Sequence, residues 1–182
     1  MNELSNSLNQ LENNANVDKA MLVNEVVKAV KNAGYTIVDL NDAKPWGAYI
    51  RMDGSQADRF IKEFFPGLTP EAARLGDPNA ELSPKLLIVA PGQRLSWQYH
   101  DRRAERWTFF TEGGYNKSTN DDEGEVVVAQ PGSVVQFLKG ERHRLVGIQD
   151  KYAIVAEIWQ HTDVSSPSDE DDIVRLADDY NR

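Results

Sequence analysis

The sequence has 182 residues, no cysteine and a formal net charge of −9 at pH 7. A chain of this length is expected to form one domain with a sizeable hydrophobic core. The lack of cysteine excludes disulfides, thiolate metal sites and thiol catalysis. The acidic balance argues against a nucleic-acid-binding protein, which needs a basic face. No apolar run reaches the roughly 18 residues of a membrane span, and the first residues lack the pattern of a secretory signal, so we expect a cytoplasmic protein.

The N-terminal region, residues 1–34, is expected to comprise a leader and one helix. Residues 1–16 are rich in Asn, Ser and Glu, which is typical of a loose leader or a frayed helix. Apolar residues then recur at helical spacing, and Gly34 follows where a C-terminal cap would lie; they are Met21, Leu22, Val26, Val27 and Val30. The pattern predicts an amphipathic helix packed on the outside of the main domain.

Two short strands are expected at residues 35–40 and 48–52, with a turn at Lys44-Pro45-Trp46-Gly47 between them. Residues 53–84 differ in composition, because Gly, Pro, Asp and Ala dominate. They allow short helices around residues 59–65 and after Pro70. We interpret this stretch as an insertion that caps one end of a β-barrel formed by the segments that follow.

The rest of the chain reads as a series of short strands separated by turn residues, which is typical of an antiparallel sandwich or barrel. The expected strands cover residues 85–90, 95–100, 105–111, 125–129, 133–138, 143–147 and 152–160. Residues 113–124 are expected to form a polar loop. The barrel domain spans residues 35–164, and the acidic tail at 165–182 is expected to carry a short helix around residues 173–180.

Four residues in this region form a candidate metal-binding set. Gln98 and His100 lie two apart on one expected strand, so they point to the same side with Cα atoms about 7 Å apart. Glu105 opens the next strand, and His143 begins a later one. One amide, two imidazoles and one carboxylate suit a single divalent ion, and they leave positions open for a substrate. Zinc is our first choice, and manganese, iron, cobalt or nickel would also suit these ligands.

The spacing of these residues resembles the paired motifs of the cupin superfamily. The first motif reads Gly92…Gln98-x-His100…Glu105 and the second Gly132…Leu138-x-Gly140…His143. Gln replaces the first His of the family pattern, and Leu138 replaces its Pro. The resemblance implies an all-β fold, the antiparallel double-stranded β-helix or jelly-roll barrel, here with an N-terminal helix and short peripheral helices.

The Gln form of the motif resembles the isomerase domain of type II mannose-6-phosphate isomerases, which usually occurs in mannose-1-phosphate guanylyltransferase fusions and would here form a stand-alone chain. Further stretches resemble that family in order: Lys44 to Gly47, Arg103-Ala104-Glu105-Arg106-Trp107, and residues 171–182. Asp101-Arg102 and Arg106 depart from the histidines of the family pattern, so the substrate stays open.

Three charged residues are candidate catalytic groups. The resemblance implies that the arginine two residues before the metal-binding Glu, here Arg103, is needed for isomerase activity, and that Lys85 matches a family lysine. Both suit an anionic phosphate or a developing enediolate, although both also fit solvated charges at strand ends. Glu157 interrupts an apolar strand, where a carboxylate is costly unless it is paired or hydrated. It is either a base in the barrel mouth or an outward-facing residue.

The remaining polar and aromatic residues near the motifs are assigned structural roles. His161 is expected at the surface rather than as a ligand. Arg94, Arg142 and Arg144 are expected to be surface charges or salt-bridge partners. The four tryptophans, at positions 46, 97, 107 and 159, are expected to pack in the core or barrel wall rather than to stack on a sugar.

The residues and the resemblance together predict a metal-dependent aldose–ketose isomerase of a sugar or sugar phosphate. A base would move a proton between C1 and C2, whereas a metal-assisted hydride shift would need none. The residues are also compatible with a non-catalytic cupin that binds a carbohydrate or metabolite, and with an oxygen-using iron enzyme. A homodimer is expected, because exposed edge strands often pair.

Overall fold

The computed structural model describes residues 3–148 and 150–180. Its helices are α1 Glu3–Asn9, α2 Lys19–Asn32, α3 Ala57–Phe64 and α4 Pro70–Ala73, with a short 3₁₀ turn at Gly54–Gln56. Its strands are β1 Ile37–Asn41, β2 Gly47–Met52, β3 Lys85–Val89, β4 Trp97–Tyr99, β5 Arg103–Phe109, β6 Gly113–Ser118, β7 Val127–Ala129, β8 Val134–Phe137, β9 Arg142–Val146, β10 Ala153–His161 and β11 Val174–Ala177. Within these described residues, no helix combines the length and the apolar character needed to cross a bilayer.

The strands form two antiparallel sheets. The larger sheet has the order β1-β2-β3-β10-β5-β8, and the smaller has the order β11-β4-β9-β6-β7. Strands β3 to β10, counted one to eight, therefore follow the orders 1-8-3-6 and 2-7-4-5, which is the eight-stranded jelly roll. The remaining strands extend two edges of this unit. The order confirms the double-stranded β-helix that the motif resemblance implies.

The central strands β3, β10 and β5 of the larger sheet are buried on both faces. Side chains alternate between the two faces along each strand, so each strand contributes to two cores. On β10, Ala153 and Val155 join the core between the two sheets, whereas Ile154 and Ile158 join a second core outside the barrel. The interior core is rich in large side chains, which include Trp107, Phe109, Phe137, Leu145 and Val89. These residues fill one part of the barrel and leave the polar side chains of β4, β5 and β10 together in the other.

The N-terminal region packs on the outer face of the larger sheet. Leu4 and Leu8 of α1 are at most 1% exposed and belong to the outer core, so the segment expected to be a loose leader or a frayed helix contains a packed helix. Helix α2 is present as predicted. The Asp18 carboxylate caps its start by accepting a hydrogen bond from the Met21 amide at 3.1 Å, and Gly34, with φ of +80°, follows its end.

Apolar residues of the segment 53–84 also pack on the outer face of the larger sheet. Phe60, Ile61 and Phe64 of α3 are buried in the outer core. The Thr108 hydroxyl on β5 donates a hydrogen bond to the Phe64 carbonyl at 2.6 Å. The predicted helices exist, but they cover a sheet face that would otherwise expose apolar side chains.

Two further predictions are wrong. Part of the expected polar loop at 113–124 is strand β6, which pairs with β7 and β9. Gly113 fits there because a Cβ atom would lie 2.8 Å from the Cβ of Ala153. Part of the expected tail helix at 173–180 is strand β11, which pairs with β4. Residues 181 and 182 of the tail lie outside the described residues.

Candidate metal centre

Three of the predicted ligands converge inside the barrel. His100 follows β4, Glu105 lies on β5 and His143 lies on β9, so the cluster joins both sheets. His100 Nε2 lies 3.0 Å from Glu105 Oε1, and His143 Nε2 lies 3.3 Å from Glu105 Oε2. The ligand atoms all lie within 4.8 Å of one another. The side chains are at most 2% exposed.

Both imidazoles are oriented by main-chain carbonyls. His100 Nδ1 lies 2.5 Å from the Asp172 oxygen, and His143 Nδ1 lies 2.9 Å from the Glu141 oxygen. A carbonyl only accepts hydrogen bonds, so each Nδ1 carries a hydrogen, and in the neutral imidazole Nε2 then presents its lone pair to Glu105. The Phe137 ring stacks on His143, with centroids 4.4 Å apart. This arrangement is the usual environment of metal-binding histidines.

The polar atoms of this cluster that form no hydrogen bond are suited to bind a cation. His100 Nε2, His143 Nε2 and Glu105 Oε2 are buried and make no hydrogen bond. Lone pairs facing one another in a dry site are costly unless a proton or a cation lies between them. Burial lowers the pKa of His100. Desolvation raises the pKa of Glu105, but His100 and Arg103 outweigh it and hold that pKa well below its usual value. Neutral imidazoles and an ionised carboxylate are the forms that bind a metal ion.

Gln98, the fourth predicted ligand, lies beside this cluster. It is the direct antiparallel partner of His143 across β4 and β9, and it is 7% exposed. Its Oε1 accepts a hydrogen bond from the Ser96 hydroxyl at 2.6 Å. The amide is therefore held in one orientation next to His143, although among the described residues no side-chain hydrogen bond joins it to the three clustered groups.

A cavity of about 320 Å³ opens onto the cluster. Gln98 and Glu105 line it together with the three candidate catalytic residues Arg103, Glu157 and Lys85. The structure thus brings the predicted catalytic residues to the same opening, from strands β3, β5 and β10.

Glu157 faces the barrel interior, which decides between the two orientations left open by the sequence. It lies opposite Lys85 on β3 and Trp107 on β5, and its Oε2 accepts a hydrogen bond from Trp107 Nε1 at 3.1 Å. Burial, with the nearby charge of Glu105, raises the pKa of Glu157 to about 7. A buried carboxyl that titrates near neutrality is suited to proton transfer.

Lys85 and Arg103 are held by carboxylates rather than solvated. Lys85 Nζ lies 2.6 Å from Glu170 Oε2 and 3.7 Å from Glu157 Oε1. Arg103 donates from Nε and Nη2 to Glu105 Oε1, both at 2.9 Å. Its Nη1 donates to the Asp169 carbonyl at 2.8 Å, and the residue is 4% exposed. Arg103 therefore fixes the carboxylate that joins the two histidines.

Two polar residues near the motifs are buried. His161 is 2% exposed, and both ring nitrogens are engaged: Nε2 with the Glu81 carbonyl at 2.7 Å and Nδ1 with the Ser168 amide at 3.0 Å. The expectation of a surface residue is therefore wrong for His161, and these contacts leave it no position for a metal. Arg144 is 1% exposed and pairs with Glu123 at 2.8 Å, so of its two expected roles the structure shows the salt bridge. Arg94 and Arg142 form the predicted salt bridges.

The tryptophans are buried, each at most 4% exposed, as predicted. The tail residues that contact the site, namely Asp169, Glu170 and Asp172, were not predicted from the sequence. A signal was present, since these acidic residues lie in or beside the stretch that matches the family in order. Their partners lie about 70 to 85 residues away in the chain, which is why the pattern alone did not pair them.

The chain is similar in sequence to a curated protein and in structure to several solved proteins. No family model matches the chain. The chain is 30% identical over 167 residues to the xanthan biosynthesis protein XanB of Xanthomonas campestris pv. campestris strain B100, an alignment that covers 91% of this chain and 29% of that protein. The chain thus spans less than a third of the curated relative it matches.

Solved structures of low identity are also similar. Oxalate decarboxylase from Bacillus subtilis matches with 14% identity and a TM-score of 0.49, covering 75% of this chain and 29% of that one. A Cupin 2 conserved barrel domain protein from Salinispora arenicola matches with 19% identity and a TM-score of 0.44, covering 67% and 81%. Both TM-scores are below 0.5, so the fold is assigned from the strand order of this chain alone. That order is the double-stranded β-helix, so the chain has this fold, and residues from both halves of the paired motif meet inside it.

Proposed function

We propose that the chain is a metal-dependent isomerase that interconverts the aldose and ketose forms of a sugar or sugar phosphate. One observation carries the proposal: Glu105 of the candidate metal cluster, the carboxyl of Glu157 and the guanidinium of Arg103 line the same cavity. Aldose–ketose isomerisation needs a group that moves a proton between C1 and C2, and positive charge near the two oxygens.

The metal would be held by His100, Glu105 and His143, with Gln98 as a fourth ligand. A divalent ion in this set supplies a Lewis acid that polarises the substrate oxygens. Zinc suits two imidazoles and a carboxylate, and catalytic zinc sites keep a position for substrate. The ionisation states of His100 and Glu105 favour a cation there without further proton release.

Glu157 is the better of the two candidate bases. Lys85 forms ion pairs with the carboxylates of Glu170 and Glu157, so its ammonium group is engaged by the protein. Glu157 keeps its position through Trp107 and titrates near pH 7, so both of its forms exist in neutral solution. It would remove the proton from C2 and return it to C1, while Arg103 offsets negative charge on the enediolate.

The cavity also contains cations that favour an anionic substrate. Lys44, Arg51 and Arg175 line it, and none of the three forms an ion pair with a carboxylate in the part of the chain that the structure describes. A local cluster of unpaired cations in a chain of net charge −9 attracts small anions. We therefore favour a sugar phosphate over a free sugar.

A non-catalytic cupin that binds a carbohydrate or metabolite is the second candidate. The observation in its favour is that Arg103 and Lys85 are both engaged by carboxylates of the protein, Glu105 and Glu170. A substrate oxygen would have to compete for these donors. Binding without turnover would then be the outcome.

Metal-reconstituted and metal-free protein should be incubated with mannose 6-phosphate, mannose and lyxose in D₂O, with products followed by NMR. Isomerisation that requires metal, with deuterium entering at C1 or C2, supports the enzyme and the proton-transfer route. Isomerisation without deuterium entry supports the hydride shift. The Glu157→Gln variant should lose turnover, whereas Glu125→Gln, at an exposed position, should keep it. Sugar binding with no turnover under any condition would favour the second candidate.

A homodimer is part of the proposal. Strand β7 forms one edge of the smaller sheet, and Val127 and Val128 on it are 47% and 53% exposed. Exposed apolar edge strands tend to pair with another chain. Sedimentation equilibrium with a Val128→Lys variant would test this contact: the proposal expects a dimer that this substitution weakens.

A further inference from the structure

Asp172 lies behind the candidate metal cluster and contacts the turn that begins at His100. Its main-chain oxygen accepts the hydrogen of His100 Nδ1 at 2.5 Å. Its carboxylate accepts hydrogen bonds from the amides of Asp101 at 2.9 Å and Arg102 at 3.1 Å, and from the Ser168 hydroxyl at 2.7 Å. Asp172 is 6% exposed. One residue therefore anchors a ligand ring and the two amides that follow it.

The same short segment reaches two other residues of the cavity. The Asp169 carbonyl accepts a hydrogen bond from Arg103 at 2.8 Å, and the Glu170 carboxylate pairs with Lys85 at 2.6 Å. We call residues 168–173 the tail clasp. Strand β11 follows the tail clasp and pairs with β4, which carries Gln98. The tail clasp thus contacts the chain on both sides of the candidate metal cluster.

Residues 100–102 carry the chain from β4 of the smaller sheet to β5 of the larger one, and Asp101 and Arg102 form the turn. Its amides lie between strands, and the Asp172 carboxylate supplies their acceptor. The carboxylate that contacts the turn and the carbonyl that contacts His100 belong to the same residue, Asp172. The hydrogen bonds of the carboxylate therefore also hold the carbonyl close to the turn. The side chain of Asp172 therefore controls whether its carbonyl can hold the His100 ring.

We propose that Asp172 is a positioning residue of the metal centre, which holds His100 in the tautomer and orientation that directs Nε2 at the ion. The inference rests on the metal site of the proposed function. It assigns a role to the tail that the ligands themselves do not require. Groups that hydrogen-bond a ligand histidine typically change metal affinity by roughly 10- to 100-fold when they are removed.

The test measures metal binding rather than turnover. Zinc affinity is determined by competition with a chromophoric chelator, and the visible absorption of the cobalt-loaded protein reports the ligand geometry. Asp172→Ala should weaken zinc binding by roughly 10- to 100-fold and alter the cobalt spectrum. Asp171→Ala, the same change at the exposed neighbour, should leave both unchanged. Asp172→Asn, which keeps one oxygen for the Asp101 amide, should show a smaller loss in the same direction.

Measuring the same substitution in a His100→Ala protein distinguishes an effect that acts through His100 from a general loss of stability. If Asp172 acts through His100, Asp172→Ala should have no further effect on zinc affinity in a His100→Ala protein. An equal loss in both backgrounds, or unchanged affinity in the single variant, would overturn the inference while leaving the metal site intact. Wild-type protein that binds no metal would overturn the proposed function and this inference together.

Discussion

Gln98 and His143 are direct antiparallel partners on β4 and β9, so the amide and the imidazole leave the same side of the smaller sheet. The two residues come from different halves of the paired motif. Their pairing brings the second motif next to the first, and Glu105 approaches from the other sheet. The candidate metal centre thus depends on how the two sheets pack against each other, not on one strand alone.

Replacement of Gln98 tests whether the amide is a ligand. Gln98→Ala should weaken zinc binding roughly tenfold or more, because one donor is lost from a buried site. Gln98→His, which offers an imidazole nitrogen in place of the amide oxygen, should retain more affinity than Gln98→Ala. The matched control is Ser96→Ala, which removes only the hydrogen bond that orients the amide. If all three variants bind zinc like wild type, the site consists of His100, Glu105 and His143 alone.

The raised pKa of Glu157 predicts how the stability of the metal-free protein depends on pH. Since the pKa rises from 4.5 to about 7 on folding, the folded protein binds this proton more tightly than the unfolded chain does. That stabilisation is fully present below pH 4.5 and is lost as the pH rises through 7. Glu157→Gln removes the titration, so it should stabilise the protein at pH 8 by on the order of 3 kcal/mol, and far less at pH 5.

Urea unfolding of the wild-type and Glu157→Gln proteins at both pH values measures this difference. Zinc-free buffers are needed, because bound metal would add its own pH dependence. A change in unfolding free energy that is the same at pH 5 and pH 8 would show that Glu157 does not titrate between these values in the folded protein.

The cavity cations Lys44, Arg51 and Arg175 should make substitutions affect the KM of a phosphorylated sugar but not that of a free sugar. Lys44→Ala and Arg175→Ala are each expected to raise the KM for mannose 6-phosphate roughly tenfold, because each removes a charged contact to phosphate. The KM for free mannose should not change. Lys139→Ala, at an exposed lysine outside the cavity, should affect neither. Equal effects on both sugars would place the phosphate elsewhere.

Bound metal should stabilise the fold, because the ligands are assembled only when both sheets are in place. Zinc at about 100 times its dissociation constant is expected to add about 2.7 kcal/mol to the unfolding free energy. The comparison of thermal unfolding with zinc and with EDTA measures this. The His143→Ala protein should show little difference between the two conditions, whatever its own stability. A zinc response that survives this substitution would locate the stabilising ion outside the proposed centre.

Local patterns were sufficient to predict most of the barrel and three side chains that meet inside it. The near-continuous apolar runs on β3 and β10 reflect side chains that face one core or the other, so these strands are visible in the sequence. The spacing of His100, Glu105 and His143 follows the paired motif, and the structure brings these three together.

The missed elements depend on contacts between distant parts of the chain. Strand β6 contains two glycines and polar residues, which predict a loop, yet Gly113 is needed where β6 packs closely on Ala153. The tail has helix-forming residues, but pairing with β4 makes residues 174–177 a strand. His161 and Arg144 are buried because main-chain groups and Glu123 satisfy them, and no local pattern shows that.

The metal content of the purified protein decides whether His100, Glu105 and His143 bind an ion. Wild-type protein and a His100→Ala/His143→Ala double variant should be equilibrated with zinc, dialysed, and analysed by mass spectrometry for ions per chain. We expect one ion per wild-type chain and none in the double variant, because the two imidazoles and Glu105 converge on a single buried point. Wild-type protein without metal, or equal metal content in both proteins, would show that these side chains do not form a metal centre.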